Sequence, residues 1–462
     1  MLSNLQRSLG LRYVVVVVIA NIIGSGIYKK AAPMAAELNS SGWVLIAWFV
    51  GGIITLFGAL SNAEVAGLLA DTGGEYNYYK KIYNRFFAFV FGWSMFAVIE
   101  TAGISSLAYV FAESVHNIVS LPAIFPSMSN FNIAGIFYPF QGFTIKLTAM
   151  LLIILLTWIN TKGIKSGALM SNILLAVVFF GIFLIIVFGL SSAQADISRS
   201  VDLATTNNKP VGIAAFFTAM LSAFWAYQGW IAIGFIGGEI KEAKKLIPKG
   251  IAFGVLIVIG LYLLVNATYL SLLPVERLKQ IYESGTGIAA VEAVRSFWGA
   301  GGALFISILI LISTLGCAHA TILASSRTYF AMAREGLFFP GVARLNKAHV
   351  PRNSLIIQGI WACTLVLSGT FDQLTDMIIF AVFIYYAATA LGVFILRKKM
   401  PDTQRPYKVW GYPLVPAIFI IFSLGLLLNT VFSRPREAGL GMILILTSVP
   451  VYWWFKRKTT EE

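Results

Sequence analysis

The chain has 462 residues, of which 58% are hydrophobic and only 12% are charged. A soluble domain averages about 25% charged residues, so this composition excludes an ordinary soluble protein and indicates an integral membrane protein. The net charge of +14 does not indicate nucleic-acid binding, because the basic residues lie in short runs between apolar segments. The two cysteines, Cys317 and Cys363, lie inside apolar segments and do not predict a disulfide framework.

Apolar segments of about 20 residues, the length that crosses the hydrocarbon core of a bilayer, recur along the whole chain. The first begins near Leu11 without a small-residue cleavage site, which indicates a retained span rather than a signal peptide. The sequence predicts an all-α membrane protein with about twelve transmembrane helices and no separate soluble domain. These helices are predicted to begin near Arg12, Gly42, Phe86, Ile145, Met170, Gly212, Gly250, Ala300, Ser354, Asp376, Tyr412 and Gly439.

The basic residues are distributed unequally between alternate loops, which predicts the orientation of the chain. If the N-terminus is inside, 24 of the 34 Lys and Arg residues fall in the inner set and 10 in the outer set, which includes Lys29, Lys30 and Lys146. The positive-inside rule then places both termini in the cytoplasm, with the protein in the cell membrane. Attraction to anionic membrane lipid is a secondary effect of the same charge.

The first span is interrupted at about the depth of the bilayer centre, where the stretch IANIIGSGIYKKAAP contains Gly24, Ser25 and Gly26. An unpaired backbone amide in hydrocarbon costs several kcal/mol, so a break at that depth survives only where protein or a wet cavity surrounds it. Taken alone, the glycines fit close helix packing equally well.

A second interruption is predicted in the sixth span, where the stretch FWAYQGW places Gln228 and Gly229 between aromatic residues. The two spans are five helices apart, and an odd shift reverses the direction of crossing. Two broken helices in inverted halves indicate the binding site of a transporter. The halves are predicted at about residues 12–192 and 212–397, with two extra helices at about 412–456.

The freed ends of two broken helices suit the zwitterion of an α-amino acid. Freed amides at Ser25 and Gly26 would hold the carboxylate, and freed carbonyls near Ile22 and Trp225 would hold the ammonium. No acid or base lies beside the breaks to pair a charged substrate side chain, which favours neutral L-amino acids. Phe224, Trp225 and Tyr227 predict an aromatic-walled pocket.

These segments resemble the amino acid-polyamine-organocation transporters, and more narrowly their L-amino acid transporter branch. The resemblance covers the first ten spans and rests on IIGSGI, on FWAYQGW with the downstream GGEIKEAKKLIPKGI, on GGEYNYYKKIY and on SSRTYFAMAREGLFFPGVARLNK. It implies a LeuT-like five-plus-five inverted repeat with two extra helices, alternating access, and amino acid transport without ATP or a cofactor.

The resemblance also assigns roles to individual positions. Ile22, Ser25 and Gly26 match the family's substrate-contacting residues, and Trp225 matches the aromatic gate that covers the substrate from the outer side. Gln228 stands where many members have glycine. The complete predicted substrate-binding set is Ile22, Ile23, Gly24, Ser25, Gly26, Phe224, Trp225, Ala226, Tyr227, Gln228 and Gly229.

Coupling to an ion stays open at this stage. Val178 stands where many members of the family carry a lysine, which removes a candidate proton carrier. A sodium site would need oxygen ligands from the eighth span, where Thr314 lies near Cys317. Exchange or uniport is therefore the default, with sodium- or proton-coupled symport as the alternative, and the candidate coupling residues are Val178, Thr314, Cys317, His319 and Glu100.

Two of the candidates are titratable groups within spans. Glu100 marks either a functional site or a protonated acid at a helix interface. His319 could titrate near neutral pH, although a lone histidine is more often a packed hydrogen-bonding group. Glu64 and Glu239, near the inner ends of spans, are predicted to pair with inner Lys or Arg residues.

The sequence lacks the patterns that would indicate a membrane enzyme or a channel. A membrane enzyme would need a catalytic polar constellation inside the spans, and a channel would need rings of charge or a repeated filter. In heteromeric relatives, a cysteine outside the third helix links a second chain, but residues 116–142 contain none. The chain is therefore expected to work alone as a monomer, with membrane lipid and a small amino acid substrate as its partners.

Overall fold

The computed structural model describes residues 10–69, 74–135, 137–163, 167–231, 240, 242–347 and 350–461. Within these ranges the regular secondary structure is helical, and an isolated β-bridge joins Ile133 to Phe137. The predicted all-α fold is confirmed. Helices are the expected form for membrane spans, because each helix satisfies its backbone hydrogen bonds within its own segment.

The helices are labelled in chain order. The first ten are α1 (Leu11–Ile22), α2 (Gly26–Lys29), α3 (Ala31–Leu38), α4 (Ser41–Leu68), α5 (Gly74–Ile82), α6 (Arg85–Ser94), α7 (Glu100–Ile118), α8 (Phe143–Thr161), α9 (Gly167–Leu190) and α10 (Ile197–Ser200). The remainder are α11 (Ile213–Tyr227), α12 (Ala243–Leu272), α13 (Val275–Glu283), α14 (Ala289–Arg334), α15 (Arg352–Ser368), α16 (Phe371–Lys399), α17 (Leu414–Ser433), α18 (Pro435–Leu446) and α19 (Ser448–Glu461).

The predicted spans agree with these helices. The eighth, predicted near Ala300, begins at a kink inside α14 where Gly299 has φ 65°. Among the described residues, eight helical segments are long and apolar enough to cross a membrane, and three shorter apolar helices accompany them. Two of the three, α1 and α11, are short because each ends at an interruption. The count of twelve transmembrane helices remains a prediction.

The contacts between helices follow a symmetric pattern. α1 packs on α12 as α11 packs on α4, and α9 packs on α14 as α16 packs on α7. The pairs α4 with α12 and α7 with α14 join the two sets of helices. Each of these contacts made by one of the first five spans has a counterpart made by the equivalent span among the sixth to tenth. An internal repeat requires this correspondence. The boundaries of the two halves remain a prediction.

The two ends of the bundle carry different short helices. α3 and α13 pack together near the start of α4, and we call this end the α3 side. There Ser40 caps α4, and the side chains of Thr370 and Gln373 form a capping box that starts α16. α5 lies at the opposite end, where it contacts α4, α6 and α16, and we call that end the α5 side.

Three lysines lie inside the bundle, so their predicted placement in outer loops is wrong. Lys29, Lys30 and Lys146 are at most 5% exposed. Lys29 pairs with Glu113 and Lys30 with Asp372, whereas Lys146 donates a hydrogen bond to a backbone carbonyl. A lysine is stable in such a place only because partners replace its hydration.

Candidate functional site

The first helix breaks where the sequence predicts. α1 ends at Ile22, and Ile23 is extended, with φ −75° and ψ 103°. α2 begins at Gly26 without a side-chain cap, so its first backbone amides lack intrahelical partners. The Ser25 hydroxyl beside them is buried and has no hydrogen-bond partner. The break therefore presents free polar groups to the interior.

The second helix also breaks at its predicted position. α11 ends at Tyr227, Gln228 is extended with φ −67° and ψ 151°, and Gly229 has φ 116°. That backbone conformation is open to glycine and strained for other residues. The place where a helix resumes after this break, and Glu239, lie outside the described residues.

The two breaks touch each other. A Cβ atom built on Gly26 would lie 2.6 Å from Cα of Ala226, and one built on Gly229 would lie 2.1 Å from the carbonyl oxygen of Asn21. The obstructing atoms belong to the backbone and cannot swing away as a side chain would. Both glycines are therefore required for the close approach of α1 and α11.

Tyr262 on α12 connects the two breaks, and no local sequence pattern marks this residue. Its hydroxyl lies 3.1 Å from the carbonyl oxygen of Ile22 and 2.9 Å from that of Ala226, and the two carbonyls share its single O–H donor. The carbonyl of Trp225 accepts from the Gln228 amide at 3.3 Å. The Ile22 and Trp225 carbonyls, predicted to receive an ammonium, thus each have one acceptor position already engaged.

Replacement of Tyr262 by phenylalanine is expected to slow transport roughly two- to tenfold, the effect of losing about 0.5–1.5 kcal/mol of hydrogen bonding. Initial uptake rates in proteoliposomes would measure it. Tyr269→Phe is the matched control, since the Tyr269 hydroxyl is buried on the same helix but has no hydrogen-bond partner. Equal losses in the two variants would contradict a specific role for Tyr262.

The three aromatic residues near the end of α11, Phe224, Trp225 and Tyr227, do not form one wall. Phe224 packs against Phe383 with ring centroids 4.5 Å apart, whereas Tyr227 packs against Tyr262 at 5.0 Å. Trp225 is partly exposed and contacts Phe371 at 6.1 Å. Trp225 points away from Phe224 and Tyr227 because residues one or two positions apart on a helix do not face each other. Trp225 is therefore the one of the three that is not buried, and its role as a gate and the binding roles of all three remain predictions.

A charged layer lies around Phe371 on the α3 side. The Nζ atoms of Lys29 and Lys30 each lie 4.7 Å from the ring centroid of Phe371, the residue that contacts Trp225. Lys29 pairs with Glu113 at 2.5 Å, and Lys30 pairs with Asp372 at 2.6 Å. Lys30 also donates to the Thr375 hydroxyl at 2.7 Å. This arrangement, here called the Phe371 layer, ties α2 and α3 to α7 and α16.

On the α5 side, Glu64 has the basic partners predicted for it. Arg397 binds its carboxylate through two hydrogen bonds of 2.9 and 2.7 Å, and Arg405 approaches to 3.4 Å. The backbone amide of Val409 adds a fourth contact at 2.7 Å. The predicted ion pair is confirmed, and it joins the end of α4 to the end of α16 and the loop that follows.

The candidate coupling residues lie on three helices, with Glu100 on α7, Val178 on α9 and Thr314, Cys317 and His319 on α14. Val178 is buried on α9, and the Thr314 hydroxyl donates to the Ile310 carbonyl of its own helix at 2.8 Å. Cys317 is a free thiol, and His319 is partly buried. Within the described part of the chain, no three His, Cys, Asp or Glu residues are grouped as metal ligands. Their coupling roles remain predictions.

An all-helical membrane bundle with two broken helices in contact defines a carrier. The family model described as amino acid permease matches residues 9–455, and the chain belongs to this family of transporters, not to a family of enzymes. The predicted resemblance to the amino acid-polyamine-organocation transporters is thereby confirmed.

Three relatives match almost the whole chain. It is 29% identical over 460 residues to the serine/threonine exchanger SteT of Bacillus subtilis (strain 168), covering 99% of this chain and 98% of that protein. It is 29% identical to the large neutral amino acids transporter small subunit 2 of Mus musculus, covering 97% and 81%. Identity to the b(0,+)-type amino acid transporter 1 of Homo sapiens is 25%, covering 98% and 88%.

Proposed function

We propose that this permease exchanges neutral L-amino acids across the cell membrane by alternating access. The substrate carboxylate binds the free amides of residues 24–26, and its ammonium lies near the carbonyl ends of α1 and α11. The observation that carries the proposal is the direct contact of the two breaks, Gly26 on Ala226 and Gly229 on Asn21. The unpartnered Ser25 hydroxyl supports a ligand at the same place.

The charges around the breaks support a substrate with a neutral side chain. Lys29 and Lys30, the cations nearest to the first break along the chain, are already neutralised by Glu113 and Asp372. An acidic side chain would have to displace a buried carboxylate, which is costly. The names of two relatives, a serine/threonine exchanger and a large neutral amino acids transporter, support the same class.

The transporter exchanges amino acids and has both termini in the cytoplasm. The exchanger named among the relatives supports exchange as the mode of transport. The burial of Lys29, Lys30 and Lys146 removes them from the outer loops and so strengthens the charge asymmetry that predicts cytoplasmic termini. We place the α3 side outside and the α5 side in the cytoplasm. The symmetric helix contacts support the two inverted halves, at about residues 12–192 and 212–397.

We also propose that the chain works as a monomer without a disulfide-linked partner. Its two cysteines, Cys317 and Cys363, are free and lie within α14 and α15 rather than in a loop on the α3 side. The match covers 98% of the bacterial exchanger but only 81% and 88% of the two mammalian relatives, so the mammalian proteins contain more residues outside the matched region.

Counterflow in proteoliposomes tests the proposed function. Vesicles loaded with unlabelled neutral amino acid and diluted into a trace of the same labelled amino acid are expected to accumulate label transiently. Vesicles loaded with glutamate or lysine are expected to show no such overshoot, and protein-free vesicles provide the background. The absence of an overshoot with every amino acid of a neutral panel would contradict the proposal.

A further inference from the structure

The start of α17 lies at the membrane boundary on the α5 side. α17 ends at Ser433, and the next residue, Arg434, forms an ion pair with Glu37 of α3, so the helix runs from the α5 side to the α3 side. Its 20 residues measure about 30 Å, the thickness of the hydrocarbon core. The chain just before Leu414 therefore lies where hydrocarbon meets the lipid headgroups.

The neighbouring helices α16 and α17 present apolar side chains to the outside of the bundle at this end. On α17, Leu414 and Ile418 are exposed and share one face because they are four residues apart. On α16, Leu391 is exposed and Phe394 is partly exposed. Phe394 contacts Tyr412, just before α17, with ring centroids 5.3 Å apart. The two apolar faces thus join into one surface that the acyl chains of lipids can cover.

A lysine lies at the end of the apolar face of α16. Lys398 is exposed, and it follows Phe394 by four residues and Leu391 by seven, so the three share one face of the helix. A lysine at such a place lays its aliphatic stem along apolar side chains and holds its ammonium group at the level of the lipid headgroups.

Glu64 holds a second lysine beside the first. One carboxylate oxygen of Glu64 accepts hydrogen bonds from Arg397 and from the Val409 amide, both at 2.7 Å. The residues next to these two donors, Lys398 and Lys408, are therefore held near each other, and both are exposed. In the described part of the chain, neither lysine takes part in an ion pair.

An exposed indole lies between the lysines and the apolar surface. Trp410 follows Lys408 by two residues and precedes Leu414 by four, and it is 74% exposed. Its loop is fixed, because the Arg397 guanidinium lies 3.6 Å from the ring centroid of Tyr412. Tryptophan combines a large apolar ring with one N–H donor and is enriched where hydrocarbon meets water. The position of Trp410 therefore suits a lipid boundary better than open solvent.

The charge of this segment selects among lipids. Residues 398–414 contain four basic residues and one acid, Asp402. An anionic phospholipid complements the whole surface, because its phosphate pairs with the lysines and its acyl chains cover the apolar faces. A soluble anion would use the lysines alone, and a lipid without net charge would leave their charge uncompensated.

We propose that Lys398, Lys408 and Trp410 form a binding site for an anionic phospholipid whose acyl chains lie on Leu391 and Leu414. With the α5 side in the cytoplasm, the site faces the leaflet whose anionic lipids attract basic segments of membrane proteins. The site is separate from the two breaks, and it does not depend on the transported amino acid or on the mode of transport.

Thermal unfolding of the delipidated chain in detergent tests this site. Phosphatidylglycerol is expected to raise the melting temperature more than phosphatidylcholine with the same acyl chains. The double variant Lys398→Gln/Lys408→Gln is expected to need roughly thirtyfold more phosphatidylglycerol for half of this effect. Native mass spectrometry is expected to show phosphatidylglycerol retained by the wild-type chain and lost from the variant.

Fluorescence quenching tests the position of the indole. Phosphatidylglycerol with brominated acyl chains is expected to quench Trp410, whose emission is the difference between the wild-type chain and Trp410→Phe. An unquenched difference spectrum would show that Trp410 does not lie against lipid, and the proposed site would be wrong.

The controls separate a lipid site from a general effect of charge. Lys209→Gln/Lys279→Gln removes two exposed lysines on the α3 side and is expected to respond to phosphatidylglycerol as the wild type does. An equal loss of response in this pair would overturn the site, as would an undiminished response in Lys398→Gln/Lys408→Gln. Equal stabilisation by the two lipids, or by inorganic phosphate and phosphatidylglycerol, would also overturn it.

Discussion

The Gly229→Ala variant is expected to transport roughly ten- to hundredfold more slowly than the wild type. Strain from a side chain at φ 116° costs about 1–3 kcal/mol, and the new Cβ would also lie 2.1 Å from the carbonyl oxygen of Asn21. The two breaks must separate to relieve this contact. Initial uptake rates, normalised to the amount of monodisperse protein, would measure the effect.

Gly103→Ala is the matched control for this experiment. Gly103 lies in α7, and a Cβ built on it meets no atom within 4 Å. The variant is expected to fold and to transport at the wild-type rate. Unchanged transport in Gly229→Ala would show that the breaks do not need their close contact, and the proposed site would then be wrong.

The Lys30→Met variant is expected to lower the apparent stability of the protein by about 3 kcal/mol. Removal of one partner from a buried ion pair costs about 3–5 kcal/mol, because the other charge remains unpaired. We expect a cost at the lower end of this range, since the Asp372 side chain is 18% exposed and can gain some hydration. Thermal unfolding of the purified protein in detergent, monitored by size-exclusion chromatography, would measure the change.

Two further variants determine whether the loss comes from the unpaired charge. Lys30→Met combined with Asp372→Asn removes both charges and is expected to recover most of the stability. Lys80→Met removes a partly exposed lysine paired with Glu335 at 3.5 Å, and it is expected to have almost no effect. If the double variant were less stable than the single one, the charge explanation would be wrong.

Most of the fold could be predicted from local sequence signals. Apolar segments of sufficient length identify spans wherever they occur, and the small residues from Gly24 to Gly26 mark a break because they weaken a helix locally. The prediction that Lys29 and Lys30 lie in outer loops failed for a different reason. A pattern of charges along the chain reports loops only when charged residues lie in loops, and the partners of these lysines are distant in sequence.

The site could be predicted only in part for the same reason. The backbone breaks are local features, whereas Tyr262 contacts the first break across 240 residues of sequence. Nothing in its own segment distinguishes it from other aromatic residues of a span. The separation of Trp225 from Phe224 and Tyr227, in contrast, follows from helix geometry and could have been foreseen, because residues one or two positions apart on a helix do not face each other.

Cryo-electron microscopy of the chain, saturated with the neutral amino acid that gives the strongest counterflow, would show where the substrate binds. The α-carboxylate is expected to lie within hydrogen-bonding distance of the backbone amides of residues 24–26. The ammonium is expected to face the carbonyl ends of α1 and α11. Substrate density away from both breaks, or continuous α-helix through residues 22–26 and 225–230, would contradict this binding site.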